Sequence, residues 1–279
     1  MDDHLKSRRG KIMQDVSEDV TVADVNFQVS HADAGTFGQW DEKLRKLSVQ
    51  PVPTRVVNIR NLAEAPSLDR EGFALVEHDV EGNYDDRAFL DGAFVDSCVD
   101  LIKRLTGAKA TLNMYPPIVR SKADAEGTSI PAGFIHLDQT RDSYFAQARS
   151  KAREQGIELH RGAIYNVWKA TSKPPQDQPL AVADRRALDP DDFVIGNTLV
   201  EVGEKAGSYP YIGLVPPKEA LTLYYTPDMH IGESLVFLSC DFDANAPVGS
   251  AHTAIDAPGD AGQCVPRTSV EVRILAVFE

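Results

Sequence analysis

The chain has 279 residues, of which 42% are hydrophobic and 25% charged, the balance of a globular protein large enough to bury a core. Its 29 Lys and Arg against 42 Asp and Glu leave a formal charge of −13, which argues against non-specific binding to nucleic acid or an anionic membrane. No apolar run reaches the ~20 residues of a membrane span, the opening MDDHLKSRRGK lacks a signal-peptide core, and three scattered cysteines without a C-x-x-C pair (Cys98, Cys240, Cys264) fit a reducing cytoplasm.

Residues 1–20 are polar and charged and read as a mobile arm or a surface helix. We assign residues 1–50 to an arm and lead-in segment and residues 51–279 to the folded domain. TRVVNI (54–59) and FALVE (73–77) are short apolar runs between turn formers and predict strands. From Asp86 to Leu105, the residues Leu90, Phe94, Cys98, Leu101 and Leu105 recur at steps of three and four, predicting an amphipathic helix that Gly107 ends. A second helix is expected from Ser143 to about Gln155, capped by Asp142 or Ser143 and stopped by Gly156. Strand candidates then dominate: 110–115, 133–138, 162–169, 179–184, 193–200, 211–215, 221–225, 234–238 and 269–278. Helices followed by a run of strands favour a mainly β fold with packed helices, a double-sheet jelly roll. No G-x-G-x-x-G or Walker-type loop follows a strand, and no G-x-S-x-G elbow occurs.

The chemistry concentrates in His136-Leu137-Asp138. Alternate residues of a strand share a face, so His136 and Asp138 can present an imidazole and a carboxylate to one metal ion. That is two-thirds of the 2-His-1-carboxylate triad of non-heme iron oxygenases. A second H-x-D, His31-Ala32-Asp33, lies in a Gly- and Ala-rich stretch ahead of the strands and is set aside. The third ligand is expected to be a later histidine, His252 or its rival His230. Arg267 and Ser269 open the last strand on one face, a guanidinium and hydroxyl suited to a carboxylate. An oxygenase that uses 2-oxoglutarate needs such a socket. Glu271 and Arg273 continue the polar face, while Val270, Val272, Ile274, Ala276 and Phe278 make the other face apolar.

Several segments resemble the hydroxylase/desaturase family that includes the AsaB-, CmcJ- and NvfI-type oxygenases of natural-product pathways. They are VVNIRNLAEAPSLDREGFALVEH (56–78), RLTGAKATLNMYPPIVR (104–120), FIHLDQT (134–140), GAIYNVWKA (162–170) with PLAVAD (179–184), YYTPDMHIGESLVFLSCDFD (224–243), AHTAIDAP (251–258) and PRTSVEVRILAVF (266–278). The resemblance covers residues 52–279 in order. It implies a double-stranded β-helix of the cupin-like kind, with Fe(II) and 2-oxoglutarate as cofactors. It puts His136, Asp138 and His252 on the metal positions, settling the third ligand on His252, and Arg267 and Ser269 on the co-substrate positions. Arg273 and Tyr115 are added as cofactor-binding candidates, and Arg120, Gln139, Asn166 and Trp168 as substrate contacts. Lys169 and the pair Ser239-Cys240 depart from the family pattern.

The resulting expectation is a cytoplasmic enzyme that uses dioxygen to hydroxylate, desaturate or cyclise a small natural-product-type or amino-acid-derived molecule, as a homodimer, with no nucleic-acid or membrane partner. The Gly-, Pro- and Ala-rich segment 244–264 is expected to close over the site. Two other readings are a cupin-type metal dioxygenase without 2-oxoglutarate and a non-catalytic partner of a methyltransferase-like enzyme.

Overall fold

A computed structural model describes residues 20–121, 128–129, 131–202, 205–258 and 261–279. The strands in chain order are β1 (Val20–Gln28), β2 (Thr36–Gly38), β3 (Val49–Asn58), β4 (Phe73–Glu77), β5 (Ala110–Asn113), β6 (Ile118–Ser121), β7 (His136–Leu137), β8 (Gly162–Ala170), β9 (Leu180–Ala183), β10 (Phe193–Val202), β11 (Lys205–Leu214), β12 (Thr222–Tyr225), β13 (Glu233–Asp241), β14 (His252–Ala254) and β15 (Thr268–Val277). They form a nine-stranded sheet, β1-β3-β12-β9-β14-β7-β11-β10-β2, and a six-stranded sheet, β4-β13-β8-β15-β5 with β6 also on β15. Between the sheets, Val57, Val182 and Tyr224 of the larger pack with Trp168, Leu235 and Phe237 of the smaller. This is the expected mainly β jelly roll with packed helices. Among the described residues no helix is long and apolar enough to cross a membrane.

Strand alternation decides what each sheet shows to each side. On β15 the odd-numbered Ser269, Glu271 and Arg273 are buried polar groups. Val270, Val272, Ile274 and Ala276 pack outward with Val95, Cys98, Leu101 and Ile102 of the helical layer. That layer comprises α1 (Arg87–Phe89), a π-helical turn at Leu90–Phe94, and α2 (Val95–Thr106). Asp86 caps its start by accepting from the Ala88 amide at 2.9 Å, and Gly107 ends it at φ 66°. Leu105, expected on the buried face, is 40% exposed; Ile102 takes its place in the core.

Helix α3 (Arg141–Glu154) closes one end of the sandwich through Tyr144, Ala148 and Ala152, which pack on Met114, Ile164 and Leu275. Its cap is Thr140, which accepts from the Ser143 amide, rather than Asp142 or Ser143. Gly156 follows at φ 70°, as expected of a stop.

The lead-in segment departs most from expectation. Residues 1–19 lie outside the described residues, but Val20 opens β1, and β1 and β2 both belong to the larger sheet. The boundary placed at residues 50 and 51 falls inside β3. The physical reason is a period-two pattern: Ala23, Val25 and Phe27 are buried against Ile212, Leu214 and Leu137, while Asp24 and Asn26 are not buried. The larger sheet therefore curls so that β1 covers its back.

Candidate metal and anion site

β7 is only two residues long, but its place is fixed from both sides. Gly213 of β11 opposes His136 across one edge, and His252 of β14 opposes it across the other. Leu137 points into the core behind the sheet, so His136 and Asp138 face the interior. One ligand atom each from His136, Asp138 and His252 lie within 4.8 Å of one another, and all three residues are buried. The imidazole centroids of His136 and His252 are 4.5 Å apart. His136 Nδ1 lies 2.9 Å from the Phe134 carbonyl and His252 Nδ1 3.3 Å from the Ser250 carbonyl. Donation from both Nδ1 atoms leaves each Nε2 with its lone pair free.

Burial, then the neighbouring His252, lowers the His136 pKa to about 3; burial also lowers that of His252. Both rings are neutral at neutral pH, so the 3.9 Å approach of His252 Nε2 to Asp138 Oδ1 is not an ion pair. Burial pushes the Asp138 carboxyl up, but the charge and hydrogen bonds of Arg273 outweigh it and hold it below the ordinary carboxylate range. Two neutral nitrogens and one anionic oxygen are a donor set for a divalent first-row metal. His230, the rival third ligand, is exposed and stands outside this group. Asp33 accepts from the Gly35 amide in a local turn, and the early H-x-D takes no part.

A cavity beside the three residues is lined by His136, His252, Arg120, Trp168, Arg267 and Glu271. Arg267 is 1% exposed, its guanidinium 5.4 Å from the Trp168 ring, and its Nε has no hydrogen-bond partner among the described residues. Burial, then the charge of Arg120, lowers its pKa to about 10, leaving it a cation at neutral pH. Its backbone amide donates to Asp177 at 2.8 Å, which fixes the start of the last strand. Ser269, two residues on, is also buried, with an Oγ that is unpartnered among the described residues. Two orphaned donors of this kind are uncommon in a folded interior.

The other sequence candidates distribute differently. Arg273 grips Asp138 through Nε (3.2 Å) and Nη2 (2.7 Å), and Nη2 also donates to Glu271 at 2.8 Å. Asn166 donates to Asp138 Oδ2 at 2.9 Å. Arg120 pairs with Glu271 at 3.1 Å and with the Ser129 hydroxyl at 3.2 Å. Tyr115 donates to Gln147, and Gln139 bonds Tyr115, Ser143 and Gln147, forming a polar cluster next to Asp138 in sequence and space. Tyr144, not singled out in the sequence, donates to Asp138 Oδ2 at 3.4 Å. Its signal was its place in the first turn of a helix that begins three residues after the ligand. Cys240 is fully buried, its thiol pushed up to about 12 by burial, so it is an inert packing residue. Part of segment 244–264 is itself strand β14 and carries His252, so that part belongs to the site's frame.

This fold and this set of buried polar groups belong to a class that comparison with known proteins identifies. Over residues 22–278 the chain matches the family described as "Oxidoreductase/YMDC permease-like domain", and it belongs to that family. Among characterised proteins it is similar to the Fe(II)/2-oxoglutarate-dependent dioxygenase NvfI of Aspergillus novofumigatus, 27% identical over 234 residues that span 81% of this chain and 83% of that one. It is also similar to the hydroxylase/desaturase EfuI of Hormonema carpetanum, 31% identical over 165 residues, 53% of this chain and 55% of that one. A solved structure of the iron and alpha-ketoglutarate-dependent endoperoxidase NvfI superposes with a TM-score of 0.79 at 24% identity, covering 94% of this chain and 98% of that one.

Proposed function

We propose that the chain is an Fe(II)/2-oxoglutarate-dependent oxygenase that hydroxylates, desaturates or cyclises a small natural-product-type or amino-acid-derived molecule. The observation that carries this reading is the shared cavity: His136 and His252 of the buried His136, Asp138 and His252 cluster line one space with a buried guanidinium whose Nε is unpartnered among the described residues. The orphaned Arg267 Nε and Ser269 Oγ fit the far carboxylate of 2-oxoglutarate, and the donor set fits Fe(II). When bound, the metal and keto acid supply the oxidising power of dioxygen, with succinate and carbon dioxide released.

The protein's own share is placement. His136, Asp138 and His252 would hold the metal through one ligand atom each. Arg267 and Ser269 hold the keto acid by its far end, and the Trp168 ring beneath Arg267 keeps that guanidinium from swinging to solvent. Burial of these groups excludes bulk water and strengthens their electrostatic grip. Arg120, Gln139, Asn166 and Trp168 surround the metal residues, and substrate placement beside them selects the outcome.

A cupin-type dioxygenase without 2-oxoglutarate would leave the unpartnered Arg267 and Ser269 atoms unexplained, and a non-catalytic partner subunit has no use for an intact ligand set. The three cysteines are free, and we place the enzyme in the cytoplasm, where thiols stay reduced. A homodimer, the commonest assembly, completes the reading; light scattering of the purified protein reads it directly. The chemistry is tested by anaerobic addition of Fe(II) and then 2-oxoglutarate. A visible charge-transfer band that is absent in His136→Ala supports the proposal, and no band in folded wild-type protein overturns it.

A further inference from the structure

The two oxygens of Asp138 are not equivalent. Oδ2 accepts from three donors, Arg273 Nε at 3.2 Å, Asn166 Nδ2 at 2.9 Å and Tyr144 Oη at 3.4 Å. Among the described residues Oδ1 accepts only from Arg273 Nη2, at 2.7 Å, and faces His252 Nε2 at 3.9 Å. These donors come from β15, β8 and α3, so the carboxylate is fixed from the smaller sheet and the closing helix, not from its own strand.

Arg273 is in turn fixed. One hydrogen of Nη2 goes to Asp138 and the other to Glu271 at 2.8 Å, while Arg120 holds Glu271 through Nη2 at 3.1 Å and Nε at 3.3 Å. The result is a buried row of alternating charge, Arg120–Glu271–Arg273–Asp138. A planar guanidinium can make this double engagement; an ammonium on a flexible stem cannot hold both carboxylates in fixed register. The same row uses Nε and both Nη2 hydrogens of Arg273.

We infer that Arg273 is a positioning residue for the metal-binding carboxylate. With Asn166 and Tyr144 it saturates Asp138 Oδ2 and presents Oδ1 alone to the metal. This rests on the proposed metal site. It gives a built-in reason for one-oxygen ligation: a second metal–oxygen contact would have to displace three hydrogen bonds already made in a dry interior.

The test is titration of the apo-protein with Mn(II), read by loss of the free-ion EPR signal, with no 2-oxoglutarate present. Arg273→Lys is expected to weaken Mn(II) binding by about tenfold or more, the usual size of a lost outer contact to a ligand. Tyr144→Phe, which removes one hydroxyl and keeps the ring, is expected to weaken it roughly threefold and serves if Arg273→Lys does not fold. Val167→Ala, beside Asn166 on β8 but packed outward against the helical layer, is expected to lower stability and leave Mn(II) affinity unchanged. Unchanged Mn(II) affinity in both Arg273→Lys and Tyr144→Phe, with wild-type protein binding the ion, overturns the inference. In a second titration that adds 2-oxoglutarate to the Mn(II)-loaded protein, a loss confined to 2-oxoglutarate affinity overturns it too and makes Arg273 a co-substrate ligand. Wild-type protein that binds no Mn(II) overturns the metal site and this inference with it.

Discussion

The two faces of the six-stranded sheet each bury a cation, and the contrast between them separates structure from function. On the outer face Lys169, fully buried, donates from Nζ to the carbonyls of His78 (2.7 Å), Glu233 (2.9 Å) and Ile231. An ammonium has three hydrogens, and all three are used. On the inner face Arg267 is equally buried, yet its Nε is unpartnered, as is the Oγ of Ser269 beside it. A saturated buried charge holds the fold together. An unsaturated one costs free energy that a ligand of opposite charge offsets.

Substitutions on the two faces sharpen that contrast. Lys169→Met leaves three buried carbonyls without donors, at roughly 1–3 kcal/mol each. The expected loss is about 3 kcal/mol or more in urea unfolding, with 2-oxoglutarate affinity of the Mn(II)-loaded protein unchanged. Arg267→Met is the converse. It removes an unpaired buried charge, so stability is expected to hold or rise, while 2-oxoglutarate affinity falls roughly 100-fold, the worth of a charge-assisted pair of about 2–3 kcal/mol. Equilibrium dialysis measures the second, and equal affinity in both variants would break the comparison.

The outer face also carries a pH dependence. His78 lies between the hydroxyls of Ser234 (2.9 Å) and Ser97 (3.2 Å), and burial, then the charge of Lys169, lowers its pKa to about 4. An unfolded histidine titrates near ~6.5. Between these values the unfolded chain binds more protons, so this contribution is complete above about pH 6.5 and is lost as pH falls toward 4. Urea midpoints across that window should fall in wild-type protein and fall less in His78→Gln. The smallest expected effect is on the inner face: Ser269→Ala removes one hydroxyl donor and should weaken 2-oxoglutarate binding roughly fivefold, with no loss of stability because the Oγ has no partner to strand.

What was legible in the sequence follows strand length. β15 alternates without a break over ten residues, so its polar and apolar faces, and with them Arg267, Ser269 and Arg273, could be read directly. β7 and β14 have two and three residues, too few for periodicity. The choice of His252 over His230 came from family resemblance, and its physical basis is the register that sets His252 opposite His136. The grip of Arg273 on Asp138 joins residues 135 apart in sequence, and no local pattern announces it. β1 was readable from Ala23, Val25 and Phe27, but the polar residues between them and the charged arm ahead made it look like a lead-in.

The most direct test of the account is an anaerobic crystal structure with Mn(II) and 2-oxoglutarate. The account predicts Mn(II) on His136 Nε2, His252 Nε2 and Asp138 Oδ1, with the far carboxylate of 2-oxoglutarate accepting from Arg267 Nε and Ser269 Oγ. A far carboxylate bound elsewhere, with those two donors still unpartnered, would contradict it.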